Sequence, residues 1–247
     1  MKALIPAAGS GVRWFPWSRI VPKELLPFHN HPILRYVLDE AVSAAMREIG
    51  IIVSHPKPLI KSYVENVWIP DHPDVAVAWF YQAKPSGVGD ALLCARHWVK
   101  DEPVAVLYPD EVHPKGGISF ICDRFYDSPG HWIGLTPGKE RRRQMTVALM
   151  ETDENTFRVR KVNPRASGQR IGYCSGRYVL AKGFSHIQKR LIEERRRNSK
   201  EFDDDSLFSP LWKHAVNGIM LPEPIYDMGT PENWSFAIAN DYQANRC

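Results

Sequence analysis

Short apolar runs alternate with amphipathic stretches over the first half of the chain, and this alternation is the strongest constraint on how it folds. Four runs have the length and the β-branched content of buried strands: Lys2–Pro6, Ile49–Val53, Val75–Phe80 and Val104–Tyr108. Between them, apolar residues recur at helical spacing over residues 33–45, 59–67 and 89–99. Buried strands that alternate with helices are typical of a largely parallel sheet covered on both faces, so we predict a three-layer α/β fold.

The pattern loosens after about Gly117. Five elements are predicted there, namely strands at Thr146–Glu151, Phe157–Val162 and Tyr178–Leu180 and helices at Gly183–Asn198 and Pro231–Asn245. No internal repeat, low-complexity tract or linker interrupts the 247 residues. We therefore predict one domain over residues 1–247, with a first half at 1–116 and a second half, ending in a helix, at 117–247.

The charge and the cysteine content exclude several classes of protein. A net charge of +4 is small and scattered, which argues against a nucleic-acid or membrane partner and suits small anionic substrates. The longest apolar run, Val75–Tyr81, has about seven residues, and a membrane span needs about 20. The N-terminal segment lacks the apolar stretch of a secretory signal, and the four cysteines form no C-x-x-C pair. We therefore expect a cytoplasmic protein with reduced thiols and without a structural zinc site.

Three polar or glycine-rich segments follow predicted strands: Ala7–Arg13, Gln82–Gly89 and Asp110–Glu111. The carboxyl ends of parallel strands meet at one edge of a sheet, which is where ligands bind in such folds. The three segments are therefore predicted to form one site.

The first of these segments combines a flexible backbone with a cation. Gly9-Ser10-Gly11 lacks the third glycine of a dinucleotide fingerprint, because Trp14 stands there, and it lacks the Gly-Lys-Ser/Thr of a Walker loop. Arg13 follows it, and Lys23 lies in the proline-bracketed loop PKELLP. Either cation alone is typical of a solvated surface, whereas backbone amides, a guanidinium and an ammonium together suit a polyphosphate.

These segments carry a family resemblance. PAAGSGVRWFP followed by PKELLP resembles the signature of sugar-1-phosphate nucleotidyltransferases, most of all the bacterial UTP–glucose-1-phosphate uridylyltransferases and then the glucose-1-phosphate thymidylyltransferases. The likeness continues through QAKPSGVGDALLCARHWVKDEPVAVLYPDE and GRYVL and returns at YDMGTPENWSFAIANDY. It implies a Rossmann-like nucleotidyltransferase fold with a mostly parallel, mixed central sheet. It also implies a homo-oligomer, and it makes residues 1–116 the nucleotide-binding half and residues 117–247 the acceptor-binding half.

The resemblance implies a role for each matching residue on the nucleotide side. Arg13 matches the arginine on the triphosphate and Lys23 the lysine on the α-phosphate, so both are candidate catalytic residues. The nucleobase is read in the family by the amide at Gln82 and by backbone groups of the first loop. Asp110 and Asp227 match the two carboxylates that hold Mg²⁺, the implied cofactor. The implied nucleotide-binding residues are Ala8, Gly9, Gly11, Gln82, Gly87 and Asp110.

The acceptor side departs from the family pattern. The family carries a Glu-Lys-Pro segment that binds the sugar hydroxyls and the sugar phosphate, and Val162-Asn163-Pro164 aligns with it here. A family glycine near the sugar aligns with Thr146. The implied acceptor-binding residues are Thr146, Val162, Asn163 and Gly176.

Three functions stay open at this point. The favoured one is transfer of a nucleoside monophosphate from an NTP, with UTP or dTTP preferred, to a sugar-1-phosphate or sugar-like phosphate, which releases pyrophosphate. The second keeps this chemistry and changes the acceptor to a heptose, cyclitol or phosphonate. The third is a nucleotide-binding regulatory protein without turnover, against which the joint presence of Lys23, Asp110 and Asp227 argues.

Overall fold

The computed structural model describes residues 1–54, 57–84, 86–136, 146–153, 155–162, 171–181, 192 and 216–244. In that part of the chain the strands are β1 (Lys2–Ala7), β2 (Pro27–Phe28), β3 (His31–Pro32), β4 (Glu48–Ser54), β5 (Ala76–Gln82), β6 (Val104–Leu107), β7 (Glu111–Val112), β8 (His131–Thr136), β9 (Thr146–Asp153), β10 (Thr156–Val162), β11 (Ile171–Leu180), β12 (Val216–Met220) and β13 (Tyr226–Asp227). The helices of the same residues are α1 (Ile33–Ser43), α2 (Pro58–Tyr63), α3 (Val88–Cys94), α4 (Arg96–Val99), α5 (Ile118–Asp127) and α6 (Pro231–Ala244).

Nine of these strands form one sheet in the order β5-β4-β1-β6-β11-β8-β12-β10-β9. The first four are parallel neighbours, and β8 and β12 form a further parallel pair. β11 and β10 run antiparallel to the strands beside them. Within the described residues, seven strands therefore run in one direction and two in the other, which confirms the predicted mostly parallel, mixed sheet.

Different helices cover the two faces of the sheet. Successive side chains of a strand point to opposite faces, and along β1 Leu4 packs in one cluster with Leu92 of α3, whereas Ile5 packs in another with Leu34 and Leu38 of α1. All five side chains are buried. The sheet is thus the middle of three layers, as an apolar strand without polar alternation predicts.

The long strand β11 joins the first half of the sheet to the second. Its C-terminal part pairs with β6, with Tyr178 opposite Val106, and its N-terminal part pairs with β9, with Tyr173 opposite Thr146. Because β9 returns to β11, the strands β11, β8, β12, β10 and β9 close a circuit. The sequence predicts only the last three residues of β11, since Gly172 and Gly176 interrupt its apolar pattern.

Two predicted helices differ from the observed ones. The segment 89–99 forms α3 and α4 instead of one helix, with a break at Ala95, whose φ of −95° and ψ of 4° are not helical. The segment 59–67 forms α2 and then a π-helical turn over Val64–Trp68. The predicted helix at 183–198 lies outside the described residues apart from residue 192. None of the helices in the described ranges is long and apolar enough to cross a membrane.

Candidate active site

A cavity of about 710 Å³ opens at the carboxyl ends of β1, β5 and β6. Residues of β11 and β13 complete its wall. Ten of the residues that the sequence predicts for the site line this cavity: Ala8, Gly9, Gly11, Arg13, Lys23, Gln82, Gly87, Asp110, Gly176 and Asp227. The structure therefore brings the three polar segments together at the edge where a parallel sheet binds its ligands.

Trp14, which stands at the position of the third glycine of a dinucleotide fingerprint, anchors the glycine loop Gly9–Gly11. Gly11 has a φ of 66°, which favours glycine, and its carbonyl accepts a hydrogen bond of 2.8 Å from the Trp14 amide. The Trp14 indole is buried and donates to the Met228 carbonyl at 3.2 Å, with its ring edge-on to Trp234. The loop is thus anchored to the segment that follows β13.

Arg13 and Asp227 lie on either side of Gly229. A Cβ at this glycine would come within 3.0 Å of both Arg13 Nη2 and Asp227 Oδ1. The Asp227 carboxylate also accepts a hydrogen bond from the Gly229 amide at 2.8 Å and another from Asn233 Nδ2 at 3.1 Å. A side chain at position 229 would therefore press on both the guanidinium and the carboxylate.

Lys23 and Asp110 form an ion pair in the cavity wall. Burial alone would lower the pKa of the Lys23 ammonium, but the carboxylates of Asp110 and Glu24 outweigh it and raise that pKa. Burial alone would raise the pKa of Asp110, but the positive charges of Lys23 and Arg13 lower it below the ordinary carboxylate value. Both groups are therefore charged at neutral pH.

A second ion pair, which was not predicted from the sequence, joins Lys57 to Glu24, the chain neighbour of Lys23. Glu24 is fully buried, and both of its oxygens accept hydrogen bonds from Lys57 Nζ, at 2.9 and 3.0 Å. Lys57 Nζ also donates to the Ala7 carbonyl at the end of β1, at 3.0 Å. Burial lowers the pKa of Lys57 further than Glu24 raises it. Lys57 thus ties the loop that carries Lys23 to the end of the first strand.

Gln82 is the last residue of β5, and its amide is held from two sides. Gln82 Nε2 donates to the Gly87 carbonyl at 3.0 Å and to Asp90 Oδ2 at 3.0 Å. Gly87 has a φ of 93°, a conformation that side chains rarely adopt. Asp90 is buried in the first turn of α3 and was not predicted as a site residue.

The segment that carries Asp110 is held from behind by Arg177 of β11. Arg177 Nη1 donates to the Tyr108 carbonyl at 3.1 Å and Nη2 to the Glu111 carbonyl at 2.8 Å. The same guanidinium forms a buried ion pair with Glu40 of α1 at 2.7 Å. Burial opposes ionisation of Glu40, but Arg177 outweighs it and lowers the pKa of this carboxyl.

The two predicted metal carboxylates lie on neighbouring backbone segments. β13 pairs with β7 so that Asp227 is opposite Glu111, and the Met228 amide donates to the Asp110 carbonyl at 2.7 Å. Both carboxylates border the same cavity. Among the described residues, no group of three or more His, Cys, Asp or Glu side chains is placed to hold a metal ion. Two carboxylates with no nitrogen or sulfur ligand suit Mg²⁺, which keeps water and phosphate oxygens in its remaining positions.

A family model described as nucleotidyl transferase matches residues 2–242. The chain belongs to the nucleotidyl transferase family. The predicted family and the predicted enzyme class are thereby confirmed.

Two curated relatives and one solved structure are similar to this nucleotidyltransferase. It is 27% identical over 204 residues to the UTP–glucose-1-phosphate uridylyltransferase of Bacillus subtilis, which covers 72% of this chain and 70% of the relative. It is 37% identical over 129 residues to the enzyme of the same name from Mycoplasma pneumoniae, covering 45% of this chain and 44% of the relative. A solved structure of UDP-glucose pyrophosphorylase complexed with UDP-glucose has the same fold, with a TM-score of 0.83, 19% identity and 98% of each chain covered.

Of the four residues predicted for the acceptor, Thr146, Val162 and Gly176 are among the described residues. Thr146 pairs with Tyr173, the neighbour of the cavity-lining Cys174, and Val162 ends β10 opposite residue 147. Asn163 lies outside the described residues. The cavity is also bordered by Glu111 of the predicted segment Asp110–Glu111 and by Tyr108, Cys174 and Tyr178, which were not predicted.

Proposed function

We propose that this chain transfers a nucleoside monophosphate from an NTP, with UTP or dTTP favoured, to a sugar-1-phosphate or sugar-like phosphate and releases pyrophosphate. The observation that carries the proposal is the convergence of Arg13, Lys23, Asp110 and Asp227 on one cavity whose other wall contains the Gln82 amide. Two cations face two carboxylates there, which is the charge pattern that a polyphosphate and a divalent cation require.

Positioning and charge neutralisation are sufficient for this reaction. The second pKa of a phosphate monoester is about 6, so the attacking oxygen of the acceptor is ionised at neutral pH and needs no general base. The barrier arises mainly because two polyanions repel each other. Phosphoryl-type transfer is therefore catalysed mainly by positioning the two reactants and neutralising their charge. We place Arg13 on the triphosphate and Lys23 on the α-phosphate, where Asp110 keeps the ammonium charged and directed into the cavity.

Mg²⁺ is the cofactor that we propose for Asp110 and Asp227. The two carboxylates are separated along the chain but adjacent through the pairing of β13 with β7. When bound, the ion would neutralise negative charge on the phosphate oxygens of the nucleotide. Asn233 and the Gly229 amide would orient the Asp227 carboxylate toward it.

The uridine or thymidine nucleotide and the sugar phosphate are proposals drawn from relatives. Those relatives are named UTP–glucose-1-phosphate uridylyltransferases, and the chain spans 44% of the length of the Mycoplasma pneumoniae enzyme. Among the described residues, the part of the cavity around β11 presents Tyr108, Cys174 and Tyr178, together with Glu111, whose Oε2 already accepts the Gly176 amide at 2.9 Å. We keep the second candidate, the same reaction with a heptose, cyclitol or phosphonate as the acceptor, beside the first. The single domain, the homo-oligomer and the cytoplasmic location stay predictions.

A pyrophosphate-release screen tests the proposal. Four NTPs are crossed with glucose-1-phosphate, deoxy-sugar phosphates, heptose phosphates and cyclitol phosphates in the presence of Mg²⁺. We expect release with UTP or dTTP and at least one acceptor, and loss of that release in Lys23→Ala but not in Lys115→Ala, which alters an exposed lysine. Nucleotide binding without release for any pair would instead favour the regulatory protein.

A further inference from the structure

The Gln82 amide presents only its carbonyl oxygen to the cavity. An amide nitrogen carries two hydrogens, and those of Gln82 Nε2 are directed to the Gly87 carbonyl and to the Asp90 carboxylate. Within the described part of the chain, Gln82 Oε1 accepts no hydrogen bond, although the residue is buried and borders the cavity. The oxygen is therefore the group that remains for a ligand, and it can only accept.

Asp90 favours one of the two possible orientations of the Gln82 amide. If the amide turned over, Gln82 Oε1 would face two acceptors, the Gly87 carbonyl and the Asp90 carboxylate. The Gly87 carbonyl belongs to the backbone and would be present with any sequence. The Asp90 oxygen is a second acceptor at 3.0 Å from Gln82 Nε2, and only the side chain at position 90 supplies it.

We infer that Asp90 is a specificity-determining positioning residue, which fixes the Gln82 amide so that the cavity selects a nucleobase with an N–H group at that point. Uracil and thymine offer the imide N3–H, whereas cytosine has a lone pair on N3 and would require the amide nitrogen instead. The inference rests on the proposed function, since it assumes that the cavity takes an NTP. The inference adds a residue, Asp90, that acts on the choice between UTP and CTP through Gln82 and contacts neither nucleotide itself.

A purely structural role of Asp90 predicts a different result. Asp90 lies in the first turn of α3 and is buried, so its loss could weaken the helix and the whole site. Such a defect would lower the affinity for UTP and for CTP by the same factor. The ratio of the two affinities is therefore the measurement that separates positioning from stability.

The test is calorimetric binding of UTP and of CTP, each with Mg²⁺ and without acceptor, to the full chain. We expect the wild type to bind UTP more tightly than CTP by at least about tenfold, the value of one hydrogen bond. In Asp90→Ala the ratio should fall about tenfold, because UTP loses affinity and CTP gains it as the amide becomes free to turn. Asp90→Asn, whose carbonyl oxygen can still accept from Gln82, should recover part of the ratio. Asp123→Ala, at an exposed position of α5, should leave it unchanged.

Two further measurements keep the inference falsifiable if Asp90→Ala does not fold. Asp90→Ser retains a polar residue in the helix turn, but its hydroxyl is too short to replace the carboxylate, and it should lower the UTP-to-CTP ratio as alanine does. The wild type should bind 3-methyl-UTP at least about tenfold more weakly than UTP, because the methyl group replaces the N–H that Gln82 Oε1 would accept. Equal affinity for UTP and its 3-methyl derivative would overturn the inference.

The outcomes distinguish this inference from the proposed reaction. An unchanged UTP-to-CTP ratio in folded Asp90→Ala or Asp90→Ser overturns the role of Asp90, whatever the pyrophosphate screen shows. A reduced ratio without any pyrophosphate release supports Asp90 and overturns the transferase reaction. A wild-type chain that binds neither nucleotide overturns both.

Discussion

Arg177 and Glu40, separated by 137 positions in the sequence, form a buried ion pair that fixes the segment carrying Asp110. The Arg177 guanidinium spans the carbonyls of Tyr108 and Glu111, and Glu40 also accepts the Gly117 and Ile118 amides at 2.9 and 2.8 Å. One carboxylate thus holds β11, the loop after β6 and the start of α5. The position of Asp110 depends on this network although neither residue of the pair enters the cavity wall.

Loss of the guanidinium should destabilise the whole fold. Arg177→Met leaves the Glu40 carboxylate buried without its partner, and we expect the free energy of unfolding to fall by about 3–5 kcal/mol. Chemical denaturation measures it. Arg47→Met, which breaks an exposed ion pair with Asp74, is the matched control and should cost at most about 1 kcal/mol. Equal losses in the two variants would contradict the role given to Arg177.

The same pair predicts how stability depends on pH. Arg177, and to a lesser extent His113, hold the pKa of Glu40 below its ordinary value of 4.5 in the folded chain. A carboxyl whose pKa is depressed by folding contributes stability that is fully present above its unfolded pKa and is lost as the pH falls through its folded pKa. The unfolding free energy of the wild type should therefore exceed that of Glu40→Gln at neutral pH. This difference should shrink progressively below pH 4.5; a difference that is constant down to pH 3 or grows on acidification would contradict the assignment.

Lys23→Ala should affect the chemical step more than nucleotide binding. Negative charge on the transferring phosphate grows in the transition state, so a cation placed there lowers the barrier more than it strengthens ground-state binding. We expect kcat to fall by about a hundredfold or more while the Kd for the nucleotide changes much less. Steady-state kinetics and calorimetry on the same preparation measure both. Near wild-type kcat would exclude Lys23 from the α-phosphate.

The proposed metal site predicts a specific response to carboxylate removal. Asp110→Asn and Asp227→Asn each replace a charged oxygen ligand by a neutral one, so each should raise the Mg²⁺ concentration for half-maximal activity by about tenfold or more. The exposed Asp123→Asn serves as the control. EDTA should abolish turnover and added Mg²⁺ should restore it. Full activity in EDTA would refute the metal assignment of both aspartates.

The residues at positions 162 and 163 predict an altered acceptor. Val162 and Asn163 stand where the family has a glutamate for the sugar hydroxyls and a lysine for the sugar phosphate. An unmatched hydroxyl costs about 1–3 kcal/mol, so kcat/KM for glucose-1-phosphate should be lower than for an acceptor that is less hydroxylated or differently shaped at this point. Deoxy-sugar, heptose and cyclitol phosphates are the acceptors to compare with it. The double variant Val162→Glu, Asn163→Lys should raise it. A wild-type kcat/KM for glucose-1-phosphate of about 10⁴ M⁻¹s⁻¹ or more, above that of all other acceptors, would show that the pocket is not altered.

Residues that follow strands in short, distinctive segments were predictable from the sequence. Arg13, Gln82 and Asp110 all belong to such segments, and the parallel order of β1, β5 and β6 places these at one edge. The fold was predictable for the same reason, since uninterrupted apolar strands require helices on both faces.

Residues that act through a distant partner were not predictable. Lys57 meets Glu24 across 33 positions and Arg177 meets Glu40 across 137, and nothing in either local segment specifies the other. Asp90 reads as an ordinary acidic residue in a first helical turn until the amide of Gln82 is seen beside it. The break at Ala95 and the full length of β11 were missed because tertiary packing overrides local propensity there.

The contacts of Trp14 determine when the glycine loop can become anchored during synthesis of the chain. The glycine loop is made long before its anchor, because the carbonyl that holds the Trp14 indole belongs to Met228, 214 positions later, and the ring against it belongs to Trp234. Domains fold in part while they are being made, but here the glycine loop gains its anchor only when the start of α6 has emerged from the ribosome. Nascent chains shorter than this would carry β1, β4, β5 and β6 with an unanchored loop, so the cavity at the ends of these strands is completed only after the start of α6 has been made.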